Sequence, residues 1–74
     1  MIDLAHLKIG DKVHYQPEHF GDDEYENGIV KAFPRRAKNS VRVVYKCDGK
    51  WVNFRNYTSE LTLLKDLKPG WRHD

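Results

Sequence analysis

The chain has 74 residues with a formal net charge of +2 at pH 7, and 39% of its residues are hydrophobic. A chain of this length forms one domain at most and buries only about 60% of the surface that its unfolded state exposes. It has no room for a deep catalytic cleft beside a complete hydrophobic core. The length therefore predicts a single domain over residues 1–74 and argues against an enzyme.

The chain contains one cysteine, Cys47, so an internal disulfide and a cysteine-based zinc cluster are both excluded. We expect this thiol to lie on the surface without a role. The first residues lack the basic start and apolar run of a signal peptide, and no apolar stretch approaches the roughly 20 residues of a membrane span. We expect a soluble cytoplasmic protein with no catalytic residues, no cofactor, no bound metal and no small-molecule substrate.

The charges are distributed unevenly along the chain. Residues 1–30 carry seven acidic and two basic side chains, a balance of −5, whereas residues 31–55 carry eight basic and one acidic, a balance of +7. The fold either mixes these charges or separates them into two faces, and the sequence does not decide between the two. This distribution is one reason to expect a binding protein.

The first half of the chain predicts two strands. Residues 4–9 form a short lead-in, and residues 12–16 read as the first strand, with Val13 and Tyr15 on one face. An acidic loop over residues 17–24 leads to a second strand over 25–33. The second strand is expected to bend at Asn27 and Gly28, because glycine inside a strand often marks a bulge.

A β-hairpin over residues 40–54 is the central prediction. Val41, Val43 and Tyr45 alternate with polar and outward-facing residues, as on a strand with one buried face. Asp48-Gly49 is typical of a two-residue turn in which both residues have positive φ. Residues 51–54 resume the alternation, and this register places Tyr45 opposite Val52.

The remainder predicts a turn over residues 55–59 and a closing strand over 60–64. A short helix over 59–67 is the alternative, since Leu61, Leu64 and Leu67 have helical spacing. Trp71 is expected to pack back over the core. Five short strands have two exposed edges if they stay flat, and curling into a barrel removes them. The predicted fold class is all-β, a small barrel of about five antiparallel strands that leaves room for a short helical turn near residues 58–67.

The order of two short motifs resembles the opening of SH3-like small barrels such as the KOW and Tudor domains. Gly10-Asp11-Lys12-Val13 matches their "G-D-x-V" strand, and Gly28-Ile29-Val30 matches the "G-x-V" strand that follows a variable loop. The resemblance covers residues 9–67 and implies a fold more than a function. The last residues also resemble small stand-alone bacterial and phage proteins of unknown function, through Tyr57-Thr58, Asp66-Leu67-Lys68 and Gly70-Trp71.

The resemblance has two departures that bear on function. KOW motifs carry a second glycine just before "G-x-V", where this chain has Glu26-Asn27. The Tudor cage for methylated residues needs several aromatic side chains at loop tips; the candidates here are Tyr15, Phe20, Tyr25 and Tyr45, but strand alternation assigns at least Tyr15 and Tyr45 to the core. The chain also resembles another small barrel, the plasmid-borne type of dihydrofolate reductase, but the pore-lining "V-Q-I-Y" run of that enzyme is absent. The resemblance therefore gives little support to an enzymatic function.

Two hypotheses for function lead, ahead of a third in which the chain is an enzyme whose site is assembled between subunits. The first is a non-catalytic protein–protein interaction or assembly module, which includes self-association. The second is a nucleic-acid-binding barrel, in which basic side chains neutralise phosphates while an aromatic ring stacks on a base. Both use the same candidate binding residues around the predicted hairpin, and these are Arg35, Arg36, Arg42, Lys46, Trp51, Arg55 and Tyr57.

Overall fold

A computed structural model describes residues 6–36 and 38–73. Part of the lead-in predicted over residues 4–9 lies outside this range. The described residues form one five-stranded antiparallel sheet with the strand order β4-β3-β2-β1-β5. Its strands are β1 (Lys12–Tyr15), β2 (Glu26–Ala32), β3 (Ser40–Val44), β4 (Glu60–Leu63) and β5 (Leu67–Pro69). The prediction of an all-β chain with five antiparallel strands is confirmed at this level.

One face of the sheet packs into a cluster of aliphatic side chains. Val13, Val41 and Val43 are fully buried there, and the rings of Tyr15 and Tyr45 pack against them. These are the side chains that the period-2 alternation of β1 and β3 assigned to the buried face. The alternation therefore predicted the inner face of both strands correctly.

The other face of the sheet is also partly buried, which the alternation did not predict. A second cluster forms around Ile29 and Val44, with Cys47 and Phe54 buried beside them. Cys47 is 2% exposed, so the prediction of a surface thiol is wrong. The chain after the turn folds back over this face and covers the thiol, and a free cysteine behaves as a small apolar side chain in such surroundings.

The predicted hairpin is right at its turn and wrong in its second strand. Asp48 and Gly49 have φ of 53° and 77°, and the Lys50 amide donates to the Cys47 carbonyl at 2.8 Å. After the turn, however, Trp51–Asn56 forms a 3-10 helix that is kinked at Asn53. Val52, expected opposite Tyr45, is 90% exposed.

Residues 51–54 do not form a strand because both edges of β3 are already paired. β3 pairs with β2 along one side and with β4 along the other, so no edge remains for a further strand. A 3-10 helix has three residues per turn and aligns side chains at i and i+3. Trp51, Phe54 and Tyr57 have this spacing, and all three pack in the second cluster.

The closing segment contains more structure than the sequence indicated. β4 confirms the strand predicted over residues 60–64, and the helix over 59–67 is wrong as an alternative for most of its length. A single 3-10 turn, Leu64–Asp66, follows β4 and leads directly into β5, in agreement with the short helical turn allowed near residues 58–67. β5 pairs with β1 and was not predicted, because three residues are too few to show a period.

The last described residues cross the face of the sheet that carries the second cluster. Trp71 packs back over the core there, as predicted. The Trp71 indole Nε1 donates to the Gly28 carbonyl at 2.8 Å, and its ring packs against the second cluster. The Asn27 side chain donates to the Arg72 carbonyl at 2.8 Å and accepts from the Arg72 amide at 3.0 Å. These three bonds fasten the segment to β2.

Candidate binding surfaces

The basic side chains proposed for binding lie at different places on the molecule. Arg35 and Arg36 are exposed in the turn between β2 and β3. Arg42 is exposed on β3, where it lies between Ala32 of β2 and Leu61 of β4 in the strand register. The Arg55 guanidinium lies 4.8 Å from the centre of the Phe54 ring.

The two aromatic candidates take part in packing. Trp51 and Tyr57 are half-buried against the second cluster, and the rings of Trp51 and Trp71 are 4.8 Å apart between centroids. The carbonyl of Tyr57 accepts a hydrogen bond of 2.7 Å from the Lys31 ammonium. Less ring surface is therefore open for stacking than the hairpin prediction implied.

Lys46 is exposed on a different side, close to acidic residues. It lines a depression of about 290 Å³ together with Glu26, Tyr45, Thr58 and Glu60. The charges of the two halves of the sequence are therefore mixed at this point.

The edge strand β4 carries an exposed apolar surface that was not predicted from the sequence. Leu61 is 51% exposed and Leu63 is 45% exposed, although both belong to the sheet. Among the described strands, β4 pairs with β3 alone, so its other edge is unpaired. The signal was present in the alternation of the closing strand, which separates Leu61 and Leu63 from the buried Thr62.

A cleft of about 230 Å³ adjoins β4. Its walls include two tyrosines and three carboxylates, contributed by β1, β2, the end of β3, β4 and the turn after it. These residues are Tyr15, Tyr45, Glu26, Glu60 and Asp66. The cleft thus combines aromatic rings with negative charge beside the unpaired strand edge.

Tyr45 is fixed in the wall of this cleft. Its hydroxyl lies 2.8 Å from the Thr62 hydroxyl, and its ring is 6.1 Å from that of Tyr15 between centroids. Burial raises the pKa of Tyr45 from 10.0 to about 12, and the negative charges of Glu26 and Glu60 contribute in the same direction. The phenol is therefore neutral at physiological pH.

Residues 6–36 and 38–73 contain neither a cluster of metal ligands nor a membrane-spanning helix. No group of three His, Cys, Asp or Glu side chains there is placed to hold a metal ion. In the same residues, no helix has the length and apolar character needed to cross a membrane.

Fold and surface together define a small all-β domain with one antiparallel sheet, a covered outer face and an exposed apolar edge. Neither family models, nor curated proteins, nor solved structures gave a match to this chain.

Proposed function

We propose that the chain is a non-catalytic protein-binding module that uses the unpaired edge of β4. The observation that carries the proposal is the exposure of Leu61 and Leu63 on a strand whose second edge has no partner in the described chain. Strand edges of this kind bind extended segments through backbone hydrogen bonds, and neighbouring side chains add specificity. Arg42, opposite Leu61, supplies a charge beside the apolar side chains.

We further propose that the sheet is an SH3-like barrel. β4 and β5 lie at opposite edges of the sheet, yet only four residue steps connect Leu63 to Leu67. Four steps span at most about 14 Å, whereas the outer strands of a flat five-stranded sheet are about 19 Å apart. This short connection supports a curled sheet, as in the small barrels that residues 9–67 resemble.

An affinity experiment with matched variants tests the binding proposal. The immobilised chain is exposed to a cell lysate and compared with Leu61→Lys/Leu63→Lys, and self-association is measured by sedimentation. Val52→Lys is the control, since it places a lysine at another exposed apolar position. We expect captured proteins, or the dimer, to be lost in the double variant and retained in the control.

Two outcomes would count against the proposal. Equal capture by the double variant and the wild type would exclude the β4 edge as the binding surface. A chain that stays monomeric and captures no protein would exclude the binding module itself.

The nucleic-acid hypothesis has weaker support. Arg35, Arg36 and Arg42 are exposed, as phosphate contacts require. Trp51, the stacking residue of that hypothesis, packs against Trp71. A salt-sensitive quench of tryptophan fluorescence by single-stranded DNA, lost in Arg42→Ala, would favour this function over the first.

A further inference from the structure

The backbone of β4 directs the hydrogen-bonding groups of two leucines toward its free edge. The Leu64 amide donates to the Asn39 carbonyl at 2.8 Å, and these two residues continue the register in which Leu63 lies opposite Ser40. In an antiparallel pair, residues that are hydrogen-bonded across the pair alternate with residues that are not. Because the Leu64 amide faces β3, the amides and carbonyls of Leu61 and Leu63 point away from β3.

The side chains of the same two leucines are exposed on one face of the sheet. Thr62, which lies between them, points to the opposite face, where its hydroxyl is 2.8 Å from that of Tyr45. A strand that pairs with this edge must offer outward backbone groups at alternate positions and apolar side chains on the face of the leucines. A second copy of β4 has both.

A two-fold axis through Thr62 matches the edge to its own copy. An axis perpendicular to the sheet makes the two strands antiparallel and brings the same surface of each copy into contact. It places Leu61 of one copy opposite Leu63 of the second copy, and Leu63 opposite Leu61. Each such pair exchanges both of its backbone hydrogen bonds, and the leucines of the two copies form one apolar row across the seam.

The charge of Glu60 favours this axis over the neighbouring one. With the axis at Thr62, the Cα atoms of Glu60 in the two copies are about 14 Å apart, from four residue steps and one strand spacing. That separation exceeds the Debye length of about 8 Å at physiological salt, so the repulsion is largely screened. An axis at Leu61 would reduce the separation to about 8 Å and would place Ser59 opposite Leu63.

We propose that two copies of the chain pair through β4 about a two-fold axis at Thr62, which joins their sheets into one antiparallel sheet. This inference rests on the proposed function and names a second copy as the partner. Each copy contributes one strand of four residues. An interface of this kind belongs to the class below about 1,200 Å², whose complexes are weak, so the dimer should have a Kd of roughly 100 µM.

Engineered cysteines test the position of the axis. A Leu61→Cys chain mixed with a Leu63→Cys chain should become disulfide-linked on mild oxidation, because opposite Cα atoms in a hydrogen-bonded pair are about 5.5 Å apart, within the range of a disulfide. Either variant alone should link roughly tenfold less, since its own two positions are about 9 Å apart. Cys47 is buried and present in every sample, so the wild type measures its background.

A proline on the edge tests the backbone hydrogen bonds. Leu63 has φ of −67° and ψ of 134°, which proline adopts without strain. Leu63→Pro removes an amide hydrogen that points away from β3, so it should leave the fold intact and abolish the dimer. Leu63→Ala keeps the amide and should weaken the dimer by less than about tenfold.

Sedimentation equilibrium up to about 1 mM measures the dimer, and the dispersion of amide resonances shows that each variant is folded. A folded Leu63→Pro chain that dimerises as well as the wild type would overturn the proposal. Linking of Leu61→Cys with itself as readily as with Leu63→Cys would overturn the axis at Thr62.

This inference and the proposed function fail in different ways. A Val/Thr-rich extended peptide serves as a second probe, through the backbone amide shifts of β4. If the wild type stays monomeric but the peptide shifts these amides, the second copy is the wrong partner and the edge proposal stands. If the wild type stays monomeric and the peptide shifts none of them, both proposals are wrong.

Discussion

Gly28 occupies a point in β2 where a side chain has no space. A Cβ built on it would lie 2.6 Å from the Val43 Cγ1 atom, 2.9 Å from the Tyr45 ring and 2.9 Å from the Val44 carbonyl oxygen. The sequence predicted a bend here, but β1 and β2 pair in regular register across Gly28. The irregularity lies between Val30 and Ala32 instead. Gly28 is therefore needed for close packing against β3.

Gly28→Ala should destabilise the chain by about 1–3 kcal/mol, the usual cost of overpacking a filled core. Chemical denaturation measures this change. Gly21→Ala is the matched control, because its Cβ would approach only the Glu24 carboxylate, at 3.8 Å. Equal midpoints for Gly28→Ala and the wild type would contradict the close approach.

Tyr45 should make the folded chain less stable as the pH becomes alkaline. Its pKa is raised from 10.0 to about 12, chiefly by burial, so the folded state favours the neutral phenol. The stability from this group is fully present below pH 10.0 and is lost as the pH rises toward 12. Tyr45→Phe cannot ionise and should lose less stability over this interval, as measured by denaturation at a series of pH values. Parallel pH profiles for the two chains would contradict this assignment.

The conformation of the 3-10 helix Trp51–Asn56 is determined by packing more than by its local sequence pattern. Residues 51–54 alternate as a strand would, but Trp51, Phe54 and Tyr57 are also spaced three residues apart, as in a 3-10 helix. Four residues cannot distinguish the two periods. The outcome depends on β4, which begins at Glu60, shortly after this helix ends, and occupies the edge of β3.

Two substitutions in this helix separate the observed structure from the predicted hairpin. Phe54→Ala should cost about 3–5 kcal/mol, since the ring is buried in the second cluster. Val52→Ala should change stability by less than about 0.5 kcal/mol because the side chain is exposed. Thermal or urea unfolding measures both. A large loss for Val52→Ala would instead support the strand with Val52 facing Tyr45.

Much of the fold could be predicted from the local sequence pattern, whereas the proposed binding surface could not. The buried face of β1 and β3 followed from alternation, and the turn at Asp48 and Gly49 followed from residue type. The cleft beside β4 joins Tyr15 with Asp66, which are far apart in sequence, and no local period links them. The candidate binding residues were predicted from the sequence largely because they are basic. The structure adds other candidates, which are the exposed leucines of β4 and the carboxylates that line the cleft.

The pairing of β1 with β5 makes the sheet depend on residues near both ends of the described chain. Leu67 is fully buried, and Val13 pairs with Pro69 across the sheet. A chain ending at residue 66 should therefore lack cooperative unfolding and dispersed amide resonances. Adding a peptide of residues 67–73 should restore both, since it supplies β5 and the bonds of Trp71. A folded chain without these residues would contradict this dependence.

The same pairing sets the time at which folding can be completed during synthesis. β1 leaves the ribosome early, but its partner β5 and the fastening of Trp71 to Gly28 depend on residues made more than fifty positions later. Contacts of such long sequence separation form slowly, because the intervening chain loses entropy first. We therefore expect the nascent chain to keep one side of β1 unpaired until residues 67–71 emerge, which leaves that strand edge open to pairing with other chains during this interval.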